Sequence, residues 1–152
     1  MIALALVGHS GELLRALRLM VAQAAPAVPV ATAGGTATGS LGTSSPGIEE
    51  ALRAALRASD GEGVVVLFDL GSAALALEIA LEELPDDDRA RIAVSDGPLV
   101  EGSVRAAVEA AGGASLAQVC AAADAERATA NMWPAPLPRR GAGGGARPRP
   151  PP

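Results

Sequence analysis

Aromatic side chains are almost absent: one Phe, one Trp and no Tyr in 152 residues. That argues against nucleic-acid binding by base stacking, and it leaves Ala, Leu, Val and Ile to build any core. Cys120 is the only cysteine, so there is no internal disulfide and no Cys-rich metal site, the pattern of a reducing compartment. His9 is the only histidine and lies far from Cys120 in the chain, which gives a metal site no support. Positive charge is scarce in the body. Four of the 12 basic residues (Arg139, Arg140, Arg147 and Arg149) fall after Ala130, where there is no acid, so the other eight face all 17 acids, about −9 in net charge. An acidic body argues against a nucleic-acid surface. The first apolar run is too short for a membrane span, and no basic segment precedes it as a signal peptide would need. A cytoplasmic protein without membrane contact is the expectation. No GK[ST] ends a glycine-rich loop and no GxGxxG follows a strand, so the usual phosphate-loop and dinucleotide fingerprints are missing.

What is present begins with MIALALVGHSGELL. Residues 2–7 form an unbroken apolar run of strand length, the mark of a strand buried on both faces. Gly8 breaks it, His9 follows, and Ser10 can cap a helix whose apolar stripe is Leu13, Leu14, Leu17, Met20 and Val21. After Pro26, residues 28–33 predict a short strand with Pro29 at its start or at an edge position. Residues 34–45, GGTATGSLGTSS, form a loop of functional length. Ser45 is expected to cap the next helix, with Pro46 at its first position and Ile48, Leu52, Ala55 and Leu56 on its buried side. Asp60-Gly61 turns the chain into a strand over 63–68, and Ser72 is the expected cap of a helix running to Leu84. An acidic turn at 85–88 precedes a fourth strand at 91–95. A helix over 103–111 ends at Gly112-Gly113, and Ser115 with Gln118 has the capping-box spacing of a last helix reaching about Ala128.

This order predicts an α/β fold, a mainly parallel central sheet flanked by helices in three layers. The domain is expected over 1–130, followed by a disordered Pro/Gly/Arg-rich tail over 131–152.

With parallel strands, His9, Gly34-Gly35-Thr36, Asp69-Leu70-Gly71-Ser72 and the segment 96–102 all emerge on one edge of the sheet. Ligands bind at such edges, and helix N-termini there suit a phosphoryl group. A neutral imidazole can attack phosphorus with one nitrogen while the other carries the proton, and a carboxylate accepting that N–H fixes the ring. Asp69 is the candidate for that carboxylate. Ser10, Thr36 and Ser72 hydroxyls and the glycine backbone of Gly34, Gly35 and Gly71 are candidates for the phosphoryl oxygens. Other readings stand beside this one: His9 could be structural, Asp69 a helix cap, Gly34-Gly35 a turn, and Cys120 a small buried hydrophobe. Pattern alone gives a doubly wound domain with an anion-binding rim.

The ordered set Val7-Gly8-His9-Ser10, Ala33-Gly34-Gly35-Thr36, Gly42-Thr43, Asp69-Leu70-Gly71-Ser72-Ala73 and Pro98-Leu99-Val100-Glu101-Gly102 is more specific than any of its pieces. In it, the chain resembles the phosphocarrier subunits of phosphotransferase-dependent dihydroxyacetone kinases, relatives of the mannose-type IIA domains of the sugar phosphotransferase system. The resemblance covers about 1–123. It implies that His9 takes a phosphoryl group from the phosphorylated histidine phosphocarrier protein and becomes a phosphohistidine. His9 would pass the group to ADP on the nucleotide-binding kinase subunit, forming ATP for the dihydroxyacetone-binding subunit. It implies no cofactor or metal on this chain itself, a homodimer, and Asp69 as the carboxylate that orients His9. Two departures stand out: Ala37 and Thr38 replace acids usual after Gly-Gly-Thr, and Gly97 replaces a usual Ala. Competing readings are a mannose-type IIA domain feeding a sugar permease and a non-enzymatic anion-binding regulatory module.

Overall fold

Alternation along the first strand sorts the molecule into its layers. All six residues of β1 (Ala3–Gly8) are buried. Leu4 and Leu6 join the cluster on one side of the sheet while Ala3, Ala5 and Val7 join the other, the two-residue period of extended chain. The structure, a computed structural model, describes residues 1–131. β2 (Val30–Gly34) and β3 (Val64–Phe68) flank β1, and β4 (Ile92–Val94) lies beyond β3; all pairs are parallel, in the order β2-β1-β3-β4. Pro29 therefore precedes an edge strand, where a missing N–H costs no ladder bond.

Helices cover both faces, which is why β1 and β3 read as continuous apolar runs. On the Leu4 side, α1 (Gly11–Ala24), α5 (Leu99–Ala111) and α6 (Leu116–Ala125) bring in Leu14, Leu17, Val21, Ala106, Ala107, Ala110 and Val119. On the Val7 side, α2 (Ser45–Ala58) and α3 (Gly71–Glu82) bring in Ile48, Leu52, Ala55, Leu77 and Ala80. The result is the three-layer α/β sandwich that the element order predicts. Parallel strands with helical crossovers leave every strand's carboxyl end on one edge, so the chain after β1, β2, β3 and β4 surfaces on the same rim.

Local signals account for most of the element ends. Ser10 accepts from the Leu13 N–H at 3.2 Å, and Ser115 with Gln118 forms the full capping box of α6. Asp60 (φ 51°) and Gly61 (φ 81°) make the turn before β3.

Elsewhere the structure differs from expectation. Ser44, not Ser45, caps α2, accepting from the Gly47 N–H at 3.3 Å. Leu70 rather than Ser72 occupies the cap position of α3, which has no side-chain cap; Ser72 lies in the first turn, with its hydroxyl against His9 Nε2. α5 begins at Leu99 instead of 103. Gly102 signals a loop in sequence but is a contact in space: a Cβ there would stand 2.8 Å from Leu67 Cδ2, so its absence lets the helix press onto β3. The acidic turn is a four-residue helix, α4 (Asp86–Arg89), closed by an Asp86–Arg89 ion pair. Leu13 and Met20, placed on the buried stripe of α1 by spacing, are 48% and 53% exposed. The last helix ends at Ala125 and continues as a 3-10 turn, Glu126–Ala128. Cys120 packs half-buried against the α1/α5/α6 core; burial first, then Asp124 and Asp96, pushes its thiol up, away from the reactive thiolate. Apart from Asn131, the tail expected over 131–152 lies outside the described residues.

Candidate functional site

β1 and β3 deliver His9 and Asp69 side by side, since Val7 is registered opposite Phe68 in adjacent parallel strands. The carboxylate grips the histidine twice. Asp69 Oδ2 accepts the His9 backbone N–H at 2.9 Å, and Oδ1 stands 3.0 Å from Nδ1 while also accepting the Leu70 N–H at 2.7 Å. Burial by itself would push this carboxyl up, but the hydrogen bonds from the His9 N–H, the imidazole and the Leu70 N–H outweigh it. Asp69 is held below its ordinary value and is ionised at neutral pH. An ionised carboxylate only accepts, so Nδ1 carries a ring proton, and in the neutral imidazole the lone pair is then on Nε2.

Nε2 faces outward, with the Ser72 Oγ 3.0 Å away. Against an unprotonated Nε2 that hydroxyl is the donor. Ser72 sits in the first turn of α3, so the exposed imidazole edge adjoins the N–H groups of a twelve-residue helix. The His9 side chain is 26% exposed and Asp69 13%, so the imidazole is the more open of the pair.

The 34–45 loop is fastened to the same junction from the other side. The Gly42 N–H donates to the His9 carbonyl at 3.0 Å and the Gly35 N–H to the Gly8 carbonyl at 3.3 Å. Of the site residues expected from sequence, His9, Asp69 and Ser72 are brought into one hydrogen-bonded chain, with Gly71 at the adjoining helix start. Gly34 and Gly35 brace the junction through backbone. The Ser10 hydroxyl is spent on its own helix cap. Thr36 Oγ1 turns into its own loop, accepting from the Ser40 N–H at 3.1 Å and lying 3.2 Å from Thr38 Oγ1. The segment 96–102 shares the rim but belongs to the far strand. There the Asp96 N–H and Ser95 hydroxyl donate to Asp124, and Arg127 donates to the Asp96 carbonyl. Sequence reading misses Gly8 as a site residue, although a glycine directly before the histidine is a visible signal.

A cleft of about 490 Å³ opens next to the junction, lined by Ser10, Gly11, Glu12, Arg15, Gly34 and Leu41 among others. Leu41 and Leu70, 79% and 59% exposed, stand on the two loops that flank His9. Among the described residues no group of three or more His, Cys, Asp or Glu could hold a metal ion, and no helix is long and apolar enough to cross a membrane.

Comparison with known proteins points the same way. Residues 3–120 match the EIIA-man family model, described as the PTS system fructose IIA component. The chain is 34% identical over 110 residues to the phosphoryl donor subunit DhaM of PEP-dependent dihydroxyacetone kinase 2 from Listeria innocua, covering 72% of this chain and 86% of that one. It is 34% identical over 123 residues to DhaM of Providencia stuartii and 38% identical over 79 residues to DhaM of Escherichia coli. These two matches cover 78% and 52% of this chain but only 25% and 16% of those relatives, so it spans a quarter or less of the longer proteins. The crystal structure of a protein of unknown function, EF1359, superposes with a TM-score of 0.73 at 30% identity, covering 82% of this chain and 93% of that one. With the family model matched over most of its length and the fold shared, the chain belongs to the mannose-type IIA family of the phosphotransferase system.

Proposed function

We propose that this chain is a phosphoryl relay in which His9 Nε2 takes a phosphoryl group from the phosphorylated histidine phosphocarrier protein and passes it to ADP. The acceptor ADP is carried by the nucleotide-binding subunit of a dihydroxyacetone kinase, and the ATP formed there serves the dihydroxyacetone-binding subunit. One observation carries the reading: a single, partly exposed imidazole whose Nδ1 is engaged by an ionised carboxylate and whose Nε2 is met by the Ser72 hydroxyl. The relatives named as phosphoryl donor subunits supply the choice of acceptor.

In the first step the Nε2 lone pair forms a bond to phosphorus as the donor's N–P bond breaks, and the donor imidazole leaves with that electron pair. The proton stays on Nδ1, where Asp69 stabilises the charge that develops on the ring. The Ser72 hydroxyl, displaced from Nε2 by the new bond, turns to a phosphoryl oxygen, and the first-turn N–H groups of α3 face the same charge. In the second step a β-phosphate oxygen of ADP attacks phosphorus, the N–P bond breaks, and His9 returns to its starting tautomer. Ser10, Gly34, Gly35, Thr36 and Gly71 border this reaction rather than touch the ring. The chain needs no cofactor of its own in this scheme, works in the cytoplasm with its partner proteins, and acts as a homodimer. The exposed Leu75 and Ile79, one turn apart on α3, supply apolar surface for such a contact, and light scattering measures the mass.

Incubation with phosphoenolpyruvate, the general phosphotransferase enzyme and the phosphocarrier tests the first step. Acid-labile label is expected on His9 and none on His9→Ala; an unlabelled wild-type chain overturns the relay. The family description as a fructose IIA component favours a second reading, transfer to a sugar permease. Discharge of the labelled chain by the ADP-loaded kinase subunit separates the two: rapid loss of label with ATP formed supports the kinase, and retention supports the permease.

A further inference from the structure

We propose that Gly8 is a positioning residue for the transfer: the absence of its side chain is what lets Asp69 close on His9. The inference rests on the relay reading above for its consequence, though not for its geometry. An ideal Cβ on Gly8 would lie 2.9 Å from Asp69 Oδ2, 3.0 Å from Asp69 Cγ and 3.4 Å from Asp69 Oδ1, and these are the three nearest atoms it would meet. Ordinary C···O contacts begin at about 3.3 Å, so a methyl group there obliges the carboxylate to retreat by roughly half an ångström. Oδ2 is the oxygen that accepts the His9 backbone N–H at 2.9 Å, and a retreat of that size carries the bond to the limit of hydrogen-bonding distance. Oδ1 belongs to the same rigid group, so a shift of Oδ2 also disturbs its 3.0 Å approach to Nδ1.

The requirement is steric, not conformational. Gly8 is the last residue of a buried strand and does not occupy the left-handed region, so its backbone suits any residue, and β1 already holds alanine at positions 3 and 5. The other glycines of the site behave differently. A Cβ on Gly71 would meet nothing within 4 Å, and one on Gly34 would meet the backbone of Ser10 and Gly11. Gly8 alone among them is adjusted to the functional carboxylate.

The test uses the full chain with Gly8→Ala, Asp69→Ala and the double variant. Because His9 is the only histidine, its two ring nitrogens give an unambiguous ¹⁵N NMR signature. The wild type is expected to hold the proton on Nδ1, and Gly8→Ala to lose that preference as Asp69→Ala does; a Gly8→Ala chain that keeps the Nδ1–H signature overturns the proposal. Phosphoryl uptake is expected to fall by about tenfold or more in Gly8→Ala, since a displacement of about 1 Å can cost about 10²-fold and this one is about half as large. In the Asp69→Ala background the same change is expected to cost less than about twofold. An equal fall in both backgrounds means Gly8 acts through something else, and the proposal fails. Should Gly8→Ala be too strained to fold, the double variant, which removes the obstructing carboxylate, is expected to recover the fold; a double variant that stays unfolded overturns the assignment. A wild type that takes no label defeats the relay, while the NMR arm still decides the positioning role.

Discussion

Asp69 accepts three hydrogen bonds, from the His9 N–H, the His9 ring and the Leu70 N–H, and an amide cannot replace it. In Asp69→Asn one oxygen becomes an NH₂ facing an N–H donor, so at least one buried-side bond is lost at a cost of about 1–3 kcal/mol. The ring also loses its fixed tautomer, and phosphoryl uptake is expected to fall by about 10² to 10⁴-fold. Thermal melts and label uptake check the two effects separately. Their pH dependence differs too. The folded-state value of Asp69 is depressed below its ordinary 3.8, so its contribution is present above that value and lost as pH falls through the folded value. The melting gap between wild type and Asp69→Asn is therefore expected to be full at neutral pH and to close below pH 3.8. Ser72→Ala removes the hydroxyl at Nε2 without touching Asp69; uptake is expected to fall about 10²-fold with the melting temperature unchanged. His9 and Asp69 were legible because each ends a strand that reads clearly. The hydrogen-bonding role of Ser72 was not, since a serine near a helix start reads as a cap, whereas α3 starts one residue before it at Gly71 and has no side-chain cap.

At the scale of elements, the site depends on the start of α1 lying directly against the end of β2. Gly8 and Gly34 are register partners, and a Cβ on Gly34 would lie 2.7 Å from the Ser10 carbonyl oxygen and 2.8 Å from the Gly11 nitrogen. Both obstacles are backbone at the start of α1, so no rotamer change relieves them. Gly34→Ala is expected to destabilise the fold by about 1–3 kcal/mol. It is also expected to slow transfer by loosening the Gly35–Gly8 and Gly42–His9 bonds, as denaturant titration and label uptake would show. Strand and helix existence was readable from apolar runs and caps; ends were less so where a residue served a tertiary contact. Gly102 is such a case, a loop signal that is in fact the contact of α5 with Leu67. Leu13 and Met20 follow the period of a buried stripe, yet no element covers them, because three- and four-residue spacing marks an apolar face without saying what packs on it.

For the molecule as a whole, alternating strands and helices imply parallel strands, and Pro29 implies an edge for β2, but the neighbour order β2-β1-β3-β4 has no local signature. It matters because it puts β1 and β3, the carriers of His9 and Asp69, next to each other at the centre. Among the described residues, both hydrophobic clusters are drawn from residues no later than Ala123, and the hydrogen-bonded chain around His9 from residues no later than Ser72. The composition break after Ala130 thus falls after every described residue of those clusters and that site. A chain ending at Asn131 is expected to keep its stability within about 0.5 kcal/mol, the range of changes remote from a core. It is also expected to accept label at the full-length rate. Denaturant midpoints and phosphoryl uptake compared side by side decide this, and a tenfold slower uptake in the shortened chain would make 132–152 part of the partner contact rather than an appendage.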